Sequence, residues 1–184
     1  MRSFRWLAAL AALVAGSLAA VPASAEPATA NSVQLGLGLR YGFEMNEGDL
    51  NPWGLGLGIQ GGYTLPNAVY VGGLFEYFFG DKQELPGSKI TSNVWQVMAE
   101  GGYDMGLGST FVIRPKLGAG LANLRSEVCM DSCTDDASSE FALAPGATFL
   151  LFVPGFRLSL DLRYDLIFAE KTAKALILTA GFGF

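Results

Sequence analysis

The chain has 184 residues, 12 basic and 17 acidic side chains, no histidine and a net charge of −5, and 51% of it is hydrophobic. The acidic balance argues against a nucleic-acid partner, and the lack of histidine removes the commonest general base and metal ligand. Past residue 25 no uninterrupted apolar run approaches the roughly 20 residues of a membrane helix, so strands must carry the hydropathy.

The N-terminus reads as an export signal. Arg2 and Arg5 form its positive end, residues 6–21 its apolar stretch, and Ala23-Ser24-Ala25 an A-x-A-like cleavage site. Gly16, Ser17 and Pro22 interrupt the run, which argues against a retained anchor helix, and no cysteine near the site suggests lipid attachment. Cleavage after Ala25 removes two arginines and takes the charge from −5 to −7. Residues 26–32 are then a short linker and residues 33–184 a single domain.

That domain is predicted to contain about eight strands in which apolar and polar residues alternate with period two. In the first, Leu35, Leu37, Leu39, Tyr41 and Phe43 oppose Gln34, Gly36, Gly38, Arg40 and Gly42. In the second, Leu55, Leu57 and Ile59 oppose Gly54, Gly56, Gly58, Gln60 and Gly62. The third sets Val71, Phe75, Tyr77 and Phe79 against Tyr70, Leu74, Glu76 and Phe78; the fourth sets Trp95, Val97, Ala99 and Tyr103 against Gln96, Met98 and Glu100. The fifth and sixth, residues 111–124 and 140–153, turn Arg114 and Lys116, then Ala142, Ala144, Gly146 and Thr148, to the polar side. Pro115 and Pro145 lie mid-strand, where each removes a ladder donor, so a bulge is expected near one or both.

The last two strands are the clearest. Phe156, Leu158, Leu160, Leu162, Tyr164, Leu166 and Phe168 alternate with Arg157, Ser159, Asp161, Arg163 and Asp165. Leu176, Leu178, Ala180, Phe182 and Phe184 then share one face. Strands whose polar face carries balanced charge fit a sheet turned inside out, with lipid on the apolar face and a polar lumen within.

A closing strand ending on Phe182 and Phe184 resembles the assembly signal of bacterial outer-membrane barrels, and the domain resembles the small OmpA/OmpX-type barrels. The resemblance implies an eight-stranded antiparallel up-and-down transmembrane β-barrel in the outer membrane. It further implies a monomer in contact with lipid and lipopolysaccharide, inserted by the barrel-assembly machinery.

Connection lengths and aromatics agree with that architecture. Short links at residues 65–67, 106–109 and 154–155 alternate with long ones at 44–52, 80–93 and 126–139, as periplasmic turns alternate with outer loops. The fourth outer loop, 169–173, is brief. Tyr41, Trp53, Tyr77, Trp95, Phe141 and Phe168 are expected in an outer girdle, and Tyr63, Tyr103, Phe111, Phe156 and Phe184 in an inner one.

The lumen should hold Arg40, Arg114, Lys116, Arg157 and Arg163 against Glu76, Glu100, Glu140, Asp161 and Asp165. Eight strands leave an interior just wide enough for side chains to fill, so these charges are expected to pair as a plug; a narrow passive pore is the alternative. The inward glycines should make room for long side chains of the opposite wall; the Gly-Leu-Gly repeats precede no helix and do not read as phosphate loops.

Cys129 and Cys133, in the longest outer loop of an exported chain, are expected to form a disulfide contributing at or below the low end of about 2 to 4 kcal/mol. Glu127, Asp131, Asp135 and Asp136 beside them could in principle hold calcium, but their spacing matches no calcium loop and a solvated acidic surface is favoured. Lys82, Lys89, Arg125, Lys171 and Lys174 stand where they could meet lipopolysaccharide phosphates. No cofactor, metal site or enzyme activity is expected: a lipid-modifying reaction lacks its histidine, and Ser159 faces the lumen. The expected role is structural or surface-interactive, with an extracellular ligand held by the loops.

Overall fold

The computed structural model describes residues 29–46, 51–80, 82–85, 88–129, 133–169 and 172–184. The export segment, residues 26–28 of the linker, Asp131 and Lys171 lie outside them. The strands are β1 (Ser32–Glu44), β2 (Gly54–Thr64), β3 (Val69–Phe78), β4 (Lys82–Leu85), β5 (Ser88–Tyr103), β6 (Met105–Leu107), β7 (Phe111–Cys129), β8 (Cys133–Val153), β9 (Phe156–Ile167) and β10 (Ala173–Gly183).

Eight of these ten strands build the wall, in the order β1-β2-β3-β5-β7-β8-β9-β10, each antiparallel to its neighbours. The wall closes where β1 meets β10, from Gly36 opposite Gly183 to Glu44 opposite Ala175, and Leu35 and Phe184 exchange backbone hydrogen bonds below that ladder. Closure leaves no free sheet edge in the membrane, the condition for a strand protein to span lipid. β4 and β6 are short ribbons on β5 and β7.

The expected facing holds along the wall. Leu35, Leu160 and Phe182 are 63%, 48% and 50% exposed on the outside, whereas Arg40, Glu76, Asp161 and Arg163 are at most 3% exposed inside. Short turns use backbone conformations suited to tight reversal: Ala68, Gly108 and Gly155 all have positive φ, of 66°, 81° and 88°.

The prolines produce no bulge. The β7–β8 register runs unbroken from Phe111 opposite Leu151 to Cys129 opposite Cys133. Each proline instead faces a short gap on its other side. Pairing of β7 skips Tyr103 and Asp104, opposite Pro115 and Arg114, and pairing of β8 with β9 skips Ala144 and Pro145, with the register unchanged beyond each gap. In an antiparallel ladder alternate residues point both backbone groups to the same neighbour. The missing amide of each proline therefore costs a bond to one strand only.

A second difference is the height of the sheet. Within the segments 80–93 and 126–139, expected as loops, the described residues continue the wall as ladder: β4 pairs with β5 from Lys82 opposite Thr91 to Leu85 opposite Ser88, and β7 with β8 as far as the two cysteines. β9 stops at Ile167, opposite Ala142. β4, β5, β7 and β8 therefore rise beyond the other strands as a projecting sheet.

Candidate functional site

Two regions can carry function: the lumen and the projecting sheet. From outside inward, the lumen begins with an apolar layer of Trp53, Phe78, Val94, Ala122, Ala142, Ile167, Ala175 and Ile177, each fully buried. Trp53 belongs to this layer and not to the outer girdle. The Asn51 side chain accepts from the Trp53 amide at 3.1 Å and donates to the Gly42 carbonyl at 2.8 Å, and the next residue, Gly54, has a φ of +49°. This turn rotates the indole inward, edge-on to Phe78 with ring centroids 5.3 Å apart. Gly42 admits it, because a Cβ there would lie 2.5 Å from the Trp53 Cβ.

Below the indole lies a charged layer. Glu76 accepts from both Arg40 and Arg163, and Arg163 also holds Asp165 at 2.7 Å. Gln96 donates to the far oxygen of Asp165 at 2.9 Å. Lys116 bridges Glu100 and Asp161, 2.7 Å from each, and Thr148 donates to Asp161 at 2.6 Å. Arg40 reaches Glu76 by crossing β2 at Gly58, the residue opposite Glu76 in the ladder. The inward glycines thus clear space for side chains of adjacent strands running along the wall, and not for the opposite wall: Tyr70 likewise lies over Gly62 and Gly72.

At the inner mouth, Arg114 pairs with Asp104 through two nitrogens, one at 2.8 Å, and donates to Gln34 at 2.9 Å. Its guanidinium stacks over Tyr70, 3.7 Å from the ring centroid. Thr64 completes the cluster, donating to Asp104 at 3.0 Å.

Two expected members of the charge set depart from expectation. Glu140 is only half-buried at the outer rim and forms no ion pair among the described residues. Arg157 is 5% exposed and donates to the Leu35 carbonyl at 3.2 Å, with no carboxylate partner among the described residues. Asp104 takes the place left by Glu140, so the buried lumen holds five cations and five carboxylates. Asp104 was missed because it stands just beyond an alternating strand. Asp104 lies opposite Arg114, beside the gap at Pro115; its amide bonds to the Ala68 carbonyl at 2.8 Å, continuing the β3–β5 ladder, and its carboxylate meets Arg114. An acidic residue just past the strand end, opposite the inward Arg114, was the available signal.

On the projecting sheet, residues 133–139 are small or polar and all exposed. The Cys129–Cys133 disulfide closes its tip, joining residues directly opposite in the ladder. Arg125 binds Asp135 through both guanidinium branches, and that hydrogen bonding holds the Asp135 carboxyl below its ordinary value. Glu127, Asp135 and Asp136 do not gather into a cation cage among the described residues. The one ligand group there joins Glu127 to the two cysteines, whose sulfurs are committed to the disulfide. Lys82 and Lys174 are exposed, while Arg125 is taken up by Asp135. Phe182 and Phe184 sit edge to face outside the barrel, their centroids 6.5 Å apart.

Residues 8–184 match the family described as the outer membrane protein beta-barrel domain. The chain belongs to that family. It is a bacterial outer-membrane protein with an eight-stranded antiparallel barrel. A search of curated proteins finds no sequence match. Among solved structures the barrel is similar to Ail, the attachment invasion locus protein of Yersinia pestis, at 15% identity and a TM-score of 0.58 over 83% of this chain and 95% of that one. It is similar to the Neisserial surface protein A at 18% identity and 0.55, over 82% and 94% of the two chains. A major outer membrane protein of Thermus thermophilus aligns at 13% identity and 0.63, over 83% and 99%. Ail has also been solved with the heparin analogue sucrose octasulfate, at 19% identity to this chain, a TM-score of 0.56 and coverage of 83% and 95%. At these identities the likenesses show a shared fold.

Within this outer-membrane barrel, Gly58 gives a direct test of the wall-crossing arginine. A Cβ at residue 58 would lie 2.4 Å from the Arg40 Cζ, so Gly58→Val should displace Arg40 from Glu76. The expected loss is about 1 to 3 kcal/mol in urea unfolding. Gly101→Ala, where an added Cβ meets nothing within 4 Å, should leave stability unchanged.

Proposed function

We propose that this barrel is a closed, non-catalytic, monomeric anchor that presents its projecting sheet as an interaction surface at the cell exterior. The observation that carries the reading is the filling of the lumen: a buried apolar layer headed by Trp53 above paired buried charges. Such a layer opposes water and ions, since a hydrophobic constriction dewets. With the interior occupied, the largest accessible feature left for function is the sheet carrying Glu127, Asp135, Asp136 and Glu140.

The reading has a corollary for ligands. A polyanion such as the one bound by Ail meets net negative charge on this sheet, so a sulfated sugar is a poor candidate and a cationic surface a better one. Lys82 and Lys174 remain candidates for lipopolysaccharide phosphates. The closing Phe182 and Phe184 would serve recognition by the assembly machinery, and the missing histidine argues against acyl-transfer chemistry.

A second reading, a narrow pore, draws on Arg40 Nε, Gln96 Oε1 and Thr179 Oγ1, buried polar atoms without partners among the described residues that suit bound water.

The test of the principal reading is to replace residues 126–139 with a two-residue turn and compare cells displaying either form on a panel of immobilised extracellular-matrix proteins. Loss of attachment with a folded barrel is expected. Equal attachment would move the function away from this sheet.

A further inference from the structure

The lumen charges balance in sum but not in place. Arg40 and Arg163 answer Glu76 and Asp165, and Arg114 answers Asp104, in equal numbers. Lys116 alone faces both Glu100 and Asp161, so the middle of the lumen keeps a negative charge in excess. The matching positive charge is Arg157, four residues from Asp161 along β9 and therefore about 13 Å from it at the rise of a strand. That separation is too long for an ion pair, and the inner mouth is left positive.

Arg157 stands at the inner end of β9, opposite Phe152 of β8 and Gly183 of β10. Its guanidinium passes over Gly183, where a Cβ would come within 3.1 Å of Nη2, and that nitrogen donates to the Leu35 carbonyl of β1. Nε and Nη1 have no partner among the described residues. The carboxylate in its electrostatic reach, Asp104, is already committed: Arg114 holds both its oxygens, and Thr64 donates to one of them. A second group at this end also lacks a partner. Ser32, at the inner end of β1 opposite Thr64, donates to the Thr29 carbonyl, and Thr29 is fully buried with its hydroxyl unpartnered among the described residues.

A cation that is 5% exposed and lacks a counter-charge is costly to keep in a fold, and an anion bound beside it offsets that cost. Free guanidinium N–H groups suit the oxygens of a carboxylate or a phosphate, to which they give charge-assisted hydrogen bonds. The Trp53 layer closes the lumen above, so such an anion enters from the inner end.

We infer that the inner mouth of the barrel binds one small oxyanion of the carboxylate or phosphate class, taken up from the periplasm on the free N–H groups of Arg157. The site lies at the opposite end of the barrel from the projecting sheet and does not depend on it.

The test uses the refolded chain without its first 25 residues, in a non-ionic detergent free of phosphate. Inorganic phosphate is titrated by its phosphorus line width and acetate by its proton line width, separately and at constant ionic strength. Saturable broadening in the millimolar range is expected. Arg157→Gln, which keeps an amide to donate to the Leu35 carbonyl and removes the charge, should weaken binding about tenfold. Arg157→Lys, which restores the charge, should bind within a few-fold of wild type. Folded migration before heating shows that each variant retains the barrel.

Saturation by phosphate alone would assign the site to phosphate, and by acetate alone to carboxylates. Broadening that does not saturate, or that Arg157→Gln leaves unchanged, would overturn the inference. So would a wild type that binds neither anion while Glu26→Gln binds one, a result that assigns Arg157 to a carboxylate of the chain itself.

Discussion

Arg163→Met should destabilise the barrel by about 3 to 5 kcal/mol, the cost of leaving buried carboxylates uncompensated. Arg163 is 2% exposed and is shared between Glu76 and Asp165. After the substitution Glu76 keeps Arg40 and Asp165 keeps only the amide of Gln96, so one net negative charge is stranded. Adding Asp165→Asn to Arg163→Met removes that charge and should recover a substantial part of the loss. The pair is coupled, so the two effects should not add. Reversible urea unfolding in lipid vesicles measures both. A loss below about 1 kcal/mol, the scale of a solvated surface pair, would mean that water already screens these charges.

Leu160→Arg should cost about 2 to 4 kcal/mol, because it places a cation against hydrocarbon near mid-membrane. Leu160 is 48% exposed on the outer face, between Phe149 of β8 and Ala180 of β10. Its neighbour Ser159 turns toward the lumen, beside Gly181 of β10. Ser159→Asn should therefore cost much less in the same vesicles. Similar losses at both positions would contradict the facing on which the lumen and the lipid surface are assigned.

Period-two alternation carried the wall because membrane and lumen impose opposite chemistries on successive residues. That is why the facing of residues such as Arg40, Glu76, Leu160 and Arg163 was legible. Above the membrane the constraint vanishes: residues 126–129 and 133–139 meet water on both faces, show no hydrophobic period, and pair through backbone bonds that composition does not report. Trp53 was misplaced for a different reason. Its orientation is set by the Asn51 clamp and the positive φ of Gly54, a local turn that breaks the parity of the following strand. The prolines suggested bulges because a lost donor was counted without its direction. Once each missing amide faces a gap on one side, the register survives.

The candidate site was legible in composition more than in pairing. Balanced inward charge pointed to mutual neutralisation, but which carboxylate met which cation depended on Gly58 opening a path across β2 and on Asp104 standing opposite Arg114. The apolar layer was partly visible in the inward parity of Phe78, whose closing partner Trp53 was not.

The central claim is that the lumen is closed and that function lies on the outer sheet. Its most direct test is single-channel recording of the refolded chain, without its first 25 residues, in a planar bilayer, with folding and insertion verified in the same preparation. The account predicts no discrete conductance steps from folded, inserted barrels. Ohmic steps from such barrels would contradict it, showing that the Trp53 layer and the charges beneath it line a water path.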